Sequence, residues 1–368
     1  MNLALSEEQE ILKKAARDFL EEKCHKSFVK QMEQDEKGYS PELWEEMANL
    51  GWIGLAFPEK YGGSGMTFLD LCVLLEEMGR ACLPAPFFST VVLGALPILN
   101  AGREEQKEQY LPMIDSGKAI FSLALMEPEL EYGPKAIAVE ATPDGDAYII
   151  NGSKLFVPYA NVADYLLCVS RTSKREEGIT IFIVDAKSPG VKYTVLKTMA
   201  HDKLCEVLFD HVPAAKGNIL GQLNQGWNEI QKTVERAGVA KCCELVGNFQ
   251  WVLEDTIAYA KERKQFDRPI GSFQVIQHYC ADMATYVEGA RLSAYQAAWM
   301  LSEGLPCTKE IAVAKSWIMK FPRLFSIWHT KSMELWDLPW NMTCTFTPRE
   351  PNPLSSVTAG ILLPRSNS

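Results

Sequence analysis

The chain is expected to be an α+β multidomain protein: an N-terminal α-helical domain, a middle β-barrel-like domain and a C-terminal helical bundle whose last helix is disrupted. Three observations predict it. Apolar residues recur at helical spacing through the first hundred positions, the period shortens to β-like runs between Ala119 and Leu220, and helical spacing returns after Gln225-Gly226-Trp227. The boundaries expected from these changes are 1–118, 119–220, 221–327 and a tail of different character, 328–368. A length of 368 residues exceeds what one core usually organises, so several packed units are expected.

The first helix is read from Leu12, Ala16, Phe19 and Leu20, which repeat at three- and four-residue steps while charges fill the other faces. Ser40-Pro41 starts a second, with Ser as N-cap and Pro at the first helical position, running Glu42 to Leu50 and stopped by Gly51. PEKYGGSG (58–65) reads as a loop, and an apolar helix follows from Phe68 to Arg80. Strand-like runs are Ala119–Met126, Tyr148–Ile150, Lys154–Val157, Tyr165–Val169, Ile179–Val184, Val191–Leu196 and Val207–Phe209. Turn residues separate them, among them Pro143-Asp144-Gly145-Asp146 and Asn151-Gly152. The last helices are expected over Glu229–Lys264, Phe273–Glu303 and from about Lys309.

A net charge of −10 and a pI near 5.2 argue against a nucleic-acid binder, which needs clustered Lys and Arg. The ten cysteines are scattered, with Cys242-Cys243 the only close pair; no spacing suits zinc, so free thiols and no metal are expected. The start, MNLALSEEQEILKK, carries glutamates where a leader would be apolar or arginine-rich, and no apolar run is long enough for a membrane span. A cytoplasmic location is the expectation.

Five blocks in order carry a resemblance. They are LSEEQEILKKAARDF, LGWIGLAFPEKYGGSGM (50–66), ALMEPE (124–129), NGSKLFVPYANVAD (151–164) and YAKERKQFDRPIGSFQVIQHYCADM (259–283). Together they resemble the acyl-CoA dehydrogenase family from Leu5 to about Trp317, the last block most specifically. The resemblance implies an α-helical domain, a β domain and a four-helix bundle, with FAD between subunits of a homodimer, a homotetramer or a heteromer. It implies α,β-dehydrogenation of an acyl-CoA thioester in acyl-CoA catabolism, with electrons passed to an electron-transfer flavoprotein. A non-catalytic subunit of a heteromer, or a flavin monooxygenase or oxidase on the same fold, are the alternatives.

By the same resemblance Arg263 is the flavin-contacting arginine, a guanidinium suited to a diphosphate by its charge and paired donors. Phe266 and Gln274 follow as an aromatic wall and a polar contact; Asp267 departs from the family's Gly. Leu125 and Met126 align with the strand lining the flavin's pyrimidine side, and because Met126 replaces a hydroxyl residue only its backbone N–H can donate. Phe156, Val157 and Pro158 align with the segment near the flavin ring, and LEYGPK stands where the family has GSD. The base, in many members a Glu of the last bundle helix, is here assigned to Glu235, followed by the CoA-linked Arg236. A Glu beside an apolar acyl chain gains the raised pKa a general base needs.

The tail does not continue the family's AHQIHGxxGFTxEHDxxLYF pattern. Prolines 339, 348, 351 and 353 would break a helix. When each codon is rebuilt from the third base of one residue and the first two of the next, single-codon Trp and Met force several outcomes. Trp328-His329 gives Ala, Met333-Glu334 Gly, Trp336-Asp337 Gly, Trp340-Asn341 Glu and Met342-Thr343 Asp, all on the family pattern. A one-base frameshift between about Trp317 and Trp328 is therefore expected, and 328–368 is not read for function.

Overall fold

A computed structural model describes residues 5–129, 131–175, 178–198 and 200–319. Helices α1 (Glu7–Lys23), α2 (Lys26–Gln34), α3 (Pro41–Asn49), α4 (Phe68–Arg80), α5 (Leu96–Ala101) and α6 (Glu104–Asp115) come first. Strands β1 (Phe121–Ala124), β2 (Glu140–Asp144), β3 (Ala147–Pro158), β4 (Tyr165–Arg171), β5 (Ile179–Asp185), β6 (Val191–Val195), β7 (Leu204–Ala215) and β8 (Ile219–Leu220) follow. Then come α7 (Gly226–Glu262), the short strands β9 (Lys264–Gln265) and β10 (Arg268–Pro269), and α8 (Gln274–Ser302), with a further helical stretch over 308–319. The expected order of helices, sheet and helices is the observed one. The tail 328–368 lies outside the described residues.

Among the described residues the chain divides into two compact units, one holding 32–66 and 84–237, the other the described residues up to 31, 67–83 and 238–319. The first unit is built on one sheet, ordered β6-β7-β3-β2-β4-β5-β8, with β1 parallel to β4. Leu166 to Ser170 and Ile179 to Val184 are all buried, so β4 and β5 are covered on both faces. Two sequence expectations change here. Asn151-Gly152 is not a turn between two strands: β3 runs through it with a bulge, and Gly152, at φ 139°, pairs with Phe209. The pair Pro143-Asp144 ends an additional strand, β2, which faces β3 across Gly145. Residues 88–95 form a π-helical turn leading into α5.

In the other unit α1 and α4 each begin with a capping box, Ser6 with Gln9 and Thr67 with Asp70. Helix α4 is buried from Asp70 to Gly79 because it crosses α7 at contact distance. A Cβ on Gly79 would meet the Glu244 carbonyl at 1.9 Å, and one on Gly247 the Glu76 carbonyl at 1.8 Å. Burial on α4 includes Glu76, which takes Lys13 Nζ at 2.9 Å, Arg291 Nε at 3.1 Å and the Tyr295 hydroxyl at 2.7 Å. Burial opposes its charge, but Arg291, Lys13 and the Tyr295 hydrogen bond win and hold its pKa below the usual carboxylate range. Apolar side chains of α4, α7, α8 and 308–319 fill the core around this network.

Candidate active site

In the sheet unit, the segment leaving β1 is tied to β3 by its backbone. Leu155 N–H donates to the Met126 carbonyl at 2.8 Å, and Ser122 Oγ donates to the Pro158 carbonyl at 2.5 Å. Leu125 and Met126 are thus brought beside Phe156, Val157 and Pro158. None of the hydrogen bonds among the described residues uses the Met126 N–H, and Met126 is half-buried. A donor is left for a ligand where the resemblance asks for one.

A second bulge falls between Lys154 and Val157, whose partners on β7 are Val207 and Cys205. It puts Phe156 at φ 55°, a left-handed backbone that a side-chain-bearing residue adopts only when its surroundings impose it. Val157 remains buried in the ladder while Phe156 and Pro158 are half-buried. The bulge re-aims one aromatic without breaking the strand.

Beneath this wall lies a pair that sequence reasoning missed. Lys154, fully buried, donates from Nζ to Glu127 Oε1 at 2.6 Å and to the Leu125 carbonyl at 3.1 Å. Glu127 also accepts the Ala138 N–H at 2.8 Å and the Val139 N–H at 3.1 Å. Burial pushes the Lys154 pKa down, against the raising effect of Cys168 and Glu127. Both residues stand in quoted motifs, ALMEPE and NGSKLFVP, and the signal was a charge in each: Glu127 just past an apolar strand run and Lys154 within one.

Glu235 and Arg236 are half-buried on the first turns of α7, within the sheet unit. Burial lowers the Arg236 pKa, while Glu229 and Glu235 raise it. Tyr132 adjoins them: its ring lies 5.3 Å from that of Trp227, and its pKa is pushed up to about 12 by burial first and then by the charge of Glu235. Tyr132 sits in the LEYGPK segment and was not foreseen; an aromatic near a motif gap was the available signal.

In the helical unit, Arg263 follows α7 and its carbonyl accepts the Ile270 N–H at 2.8 Å, closing the base of the β9–β10 hairpin. Arg263 and Gln274 are exposed, and no hydrogen bond or ion pair among the described residues engages either side chain. Phe266 is 86% exposed and meets Phe273 edge-on at 6.1 Å. The sequence-predicted residues are therefore held in two groups, one per unit. Within the sheet unit, the unused N–H at Met126 and the aromatic lifted by the bulge suit the ring of a flavin; by itself, the unengaged Arg263 guanidinium of the helical unit suits a diphosphate.

Comparison with known proteins bears on what the two groups serve. The family profile described as "Acyl-CoA dehydrogenase, N-terminal domain" matches residues 6–118, the middle-domain profile 122–212 and the C-terminal-domain profile 224–324. The chain belongs to the acyl-CoA dehydrogenase family. Members of that family are FAD-dependent oxidoreductases acting on acyl-CoA. Among similar proteins, the probable acyl-CoA dehydrogenase YngJ of Bacillus subtilis is 34% identical over 330 residues, covering 86% of this chain and 84% of its own. The caffeyl-CoA reductase-Etf complex subunit CarC of Acetobacterium woodii is 33% identical, covering 84% and 83%. The butyryl-CoA dehydrogenase structure from Megasphaera elsdenii superposes with a TM-score of 0.83 at 30% identity, over 90% of this chain and 89% of that one. Among the described residues, no helix of this acyl-CoA dehydrogenase is long and apolar enough to cross a membrane.

Proposed function

We propose that this acyl-CoA dehydrogenase removes hydrogen across the α and β carbons of an acyl-CoA thioester and passes the electrons to an electron-transfer flavoprotein. The observation that carries the reading is the position of Glu235: a half-buried carboxylate on α7, near the half-buried Tyr132, one residue before Arg236. Glu235 takes the α-proton as the positioned general base. Arg236, a half-buried cation beside Glu235, binds an anionic group of CoA. FAD, when bound, accepts the β-hydrogen as hydride.

Arg263 and Gln274 supply donors to FAD, Arg263 at its diphosphate; Leu125, Met126, Phe156, Val157 and Pro158 line the flavin, with the Met126 N–H as donor. Because Arg263, Phe266 and Gln274 are exposed on and beside the β9–β10 hairpin, these three serve the flavin of a second subunit in a homodimer or homotetramer. The relative named as a subunit of an Etf complex supports the choice of electron acceptor.

The test is spectroscopic. A chain that binds oxidised flavin and bleaches anaerobically on adding an acyl-CoA is a dehydrogenase. Binding without bleaching contradicts the reading, as does oxygen consumption on reduction, which indicates an oxidase or monooxygenase.

A further inference from the structure

The Lys154–Glu127 pair is larger in consequence than a buried ion pair. Lys154 Nζ reaches the Leu125 carbonyl at 3.1 Å and Glu127 Oε1 at 2.6 Å. Glu127 in turn holds the Ala138 and Val139 N–H groups, at 2.8 and 3.1 Å. Two charges therefore join three stretches of backbone: the exit of β1, the approach to β2, and β3, which carries Lys154. Side-chain exposures of 0% and 5% exclude water from the pair, so its hydrogen bonds are not shared with solvent.

Met126, just before Glu127, and Phe156, two residues after Lys154, are the groups assigned to the flavin. Fixing the Leu125 carbonyl on Lys154, and the Met126 carbonyl on the Leu155 N–H at 2.8 Å, leaves the Met126 peptide little freedom to rotate. Its unused N–H is then aimed before any ligand arrives. The bulge that turns Phe156 begins at Lys154 itself, so the same side chain anchors the near end of that distortion.

We propose that Lys154 and Glu127 are positioning residues that pre-set the flavin-facing wall, aiming the Met126 N–H and the Phe156 bulge so that FAD binds a wall already formed. The inference rests on the assignment of Leu125, Met126 and Phe156 to the flavin. Pre-setting matters because ordering a wall at the moment of binding lowers affinity, and because a supporting partner left loose displaces the groups that touch the ligand.

The experiment compares the full chain with the double variant Lys154→Met/Glu127→Gln. A buried ion pair replaced by neutral residues of similar size often leaves stability unchanged, and Gln still offers a carbonyl to Ala138 and Val139. FAD affinity is read by quenching of flavin fluorescence, stability by thermal melting, and the wall by amide hydrogen exchange at Leu155 without flavin. The expected result is a melt close to that of the parent, FAD affinity lower by about ten-fold or more, the scale set by loss of an outer supporting partner, and faster Leu155 exchange. If the parent binds FAD and the variant binds it equally, the pair does not position the wall and the proposal is wrong. Should the parent bind no FAD even with its reading frame restored, the flavin assignment itself fails, and the proposal with it. Where the double variant does not fold, Glu127→Gln alone serves, and unchanged Leu155 exchange in that variant overturns the proposal without reference to flavin.

Discussion

Phe266 and Asp267 both adopt a left-handed backbone, at φ 52° and 63°, and together form the two-residue turn that joins β9 to β10. Two positive values in succession define the hairpin turn whose twist matches its strands, and Gly or Asn is favoured there. Asp267 stands at the position where the family has Gly. Asp267→Gly is therefore expected to raise stability by up to about 1 kcal/mol, since a left-handed residue with a Cβ is strained, and to strengthen FAD binding by removing a negative charge near Arg263. Thermal melting and flavin titration of the variant check both; a less stable hairpin variant contradicts the turn assignment.

Acid sensitivity follows from Glu76. Its folded pKa lies below the usual value, so its ionisation stabilises the fold above the unfolded glutamate pKa and that stabilisation is lost as pH falls through the folded one. Arg291→Ala removes a cation from a carboxylate only 1% exposed and is expected to cost about 3–5 kcal/mol, the range for a broken buried pair. Urea unfolding at neutral pH measures the loss. In Glu76→Gln the pH dependence of stability between about pH 5 and pH 3 should flatten, and an unaltered profile means that other carboxylates govern it.

Tyr132 reports on Glu235. Removing the carboxylate in Glu235→Gln should lower the Tyr132 pKa from about 12, leaving the part due to burial. Ultraviolet titration of tyrosinate, with Tyr132→Phe as the reference for this one ring, resolves the change. An identical midpoint in both proteins places the carboxylate away from the ring.

The tail yields a genetic prediction. Resequencing across the region between Trp317 and Trp328 should find one base gained or lost, and restoring it should replace 328–346 with AHQIHGAMGFTMEHDMHLY and raise flavin content. A confirmed reading frame that purifies as a flavin-saturated oligomer contradicts the frameshift.

Much of the fold was legible because local signals agreed with it. Phe68–Arg80 is helical as expected, since Thr67 caps it and its apolar run has nowhere else to go. Asn151-Gly152 misled because the pair that favours hairpin turns also suits a bulge, and the choice depended on a distant partner: the His211 N–H donates to Asn151 Oδ1 at 2.9 Å. Strand β2 was hidden by its composition, with only Ala141 buried among Glu140–Asp144. In the site, motif residues could be found one by one. Lys154 with Glu127, and Tyr132 with Trp227, could not, because each pairing is set by strand register and packing across many residues.

The central claim is that Glu235 is the base, and the most direct test is anaerobic reduction of FAD-reconstituted protein by an acyl-CoA, followed at the flavin's visible band. Glu235→Gln should bind FAD and acyl-CoA as the parent does yet reduce its flavin about 10²–10⁴-fold more slowly, the contribution expected of a positioned base. A variant whose flavin bleaches within about three-fold of the parent rate, far short of that contribution, would show that another group takes the proton.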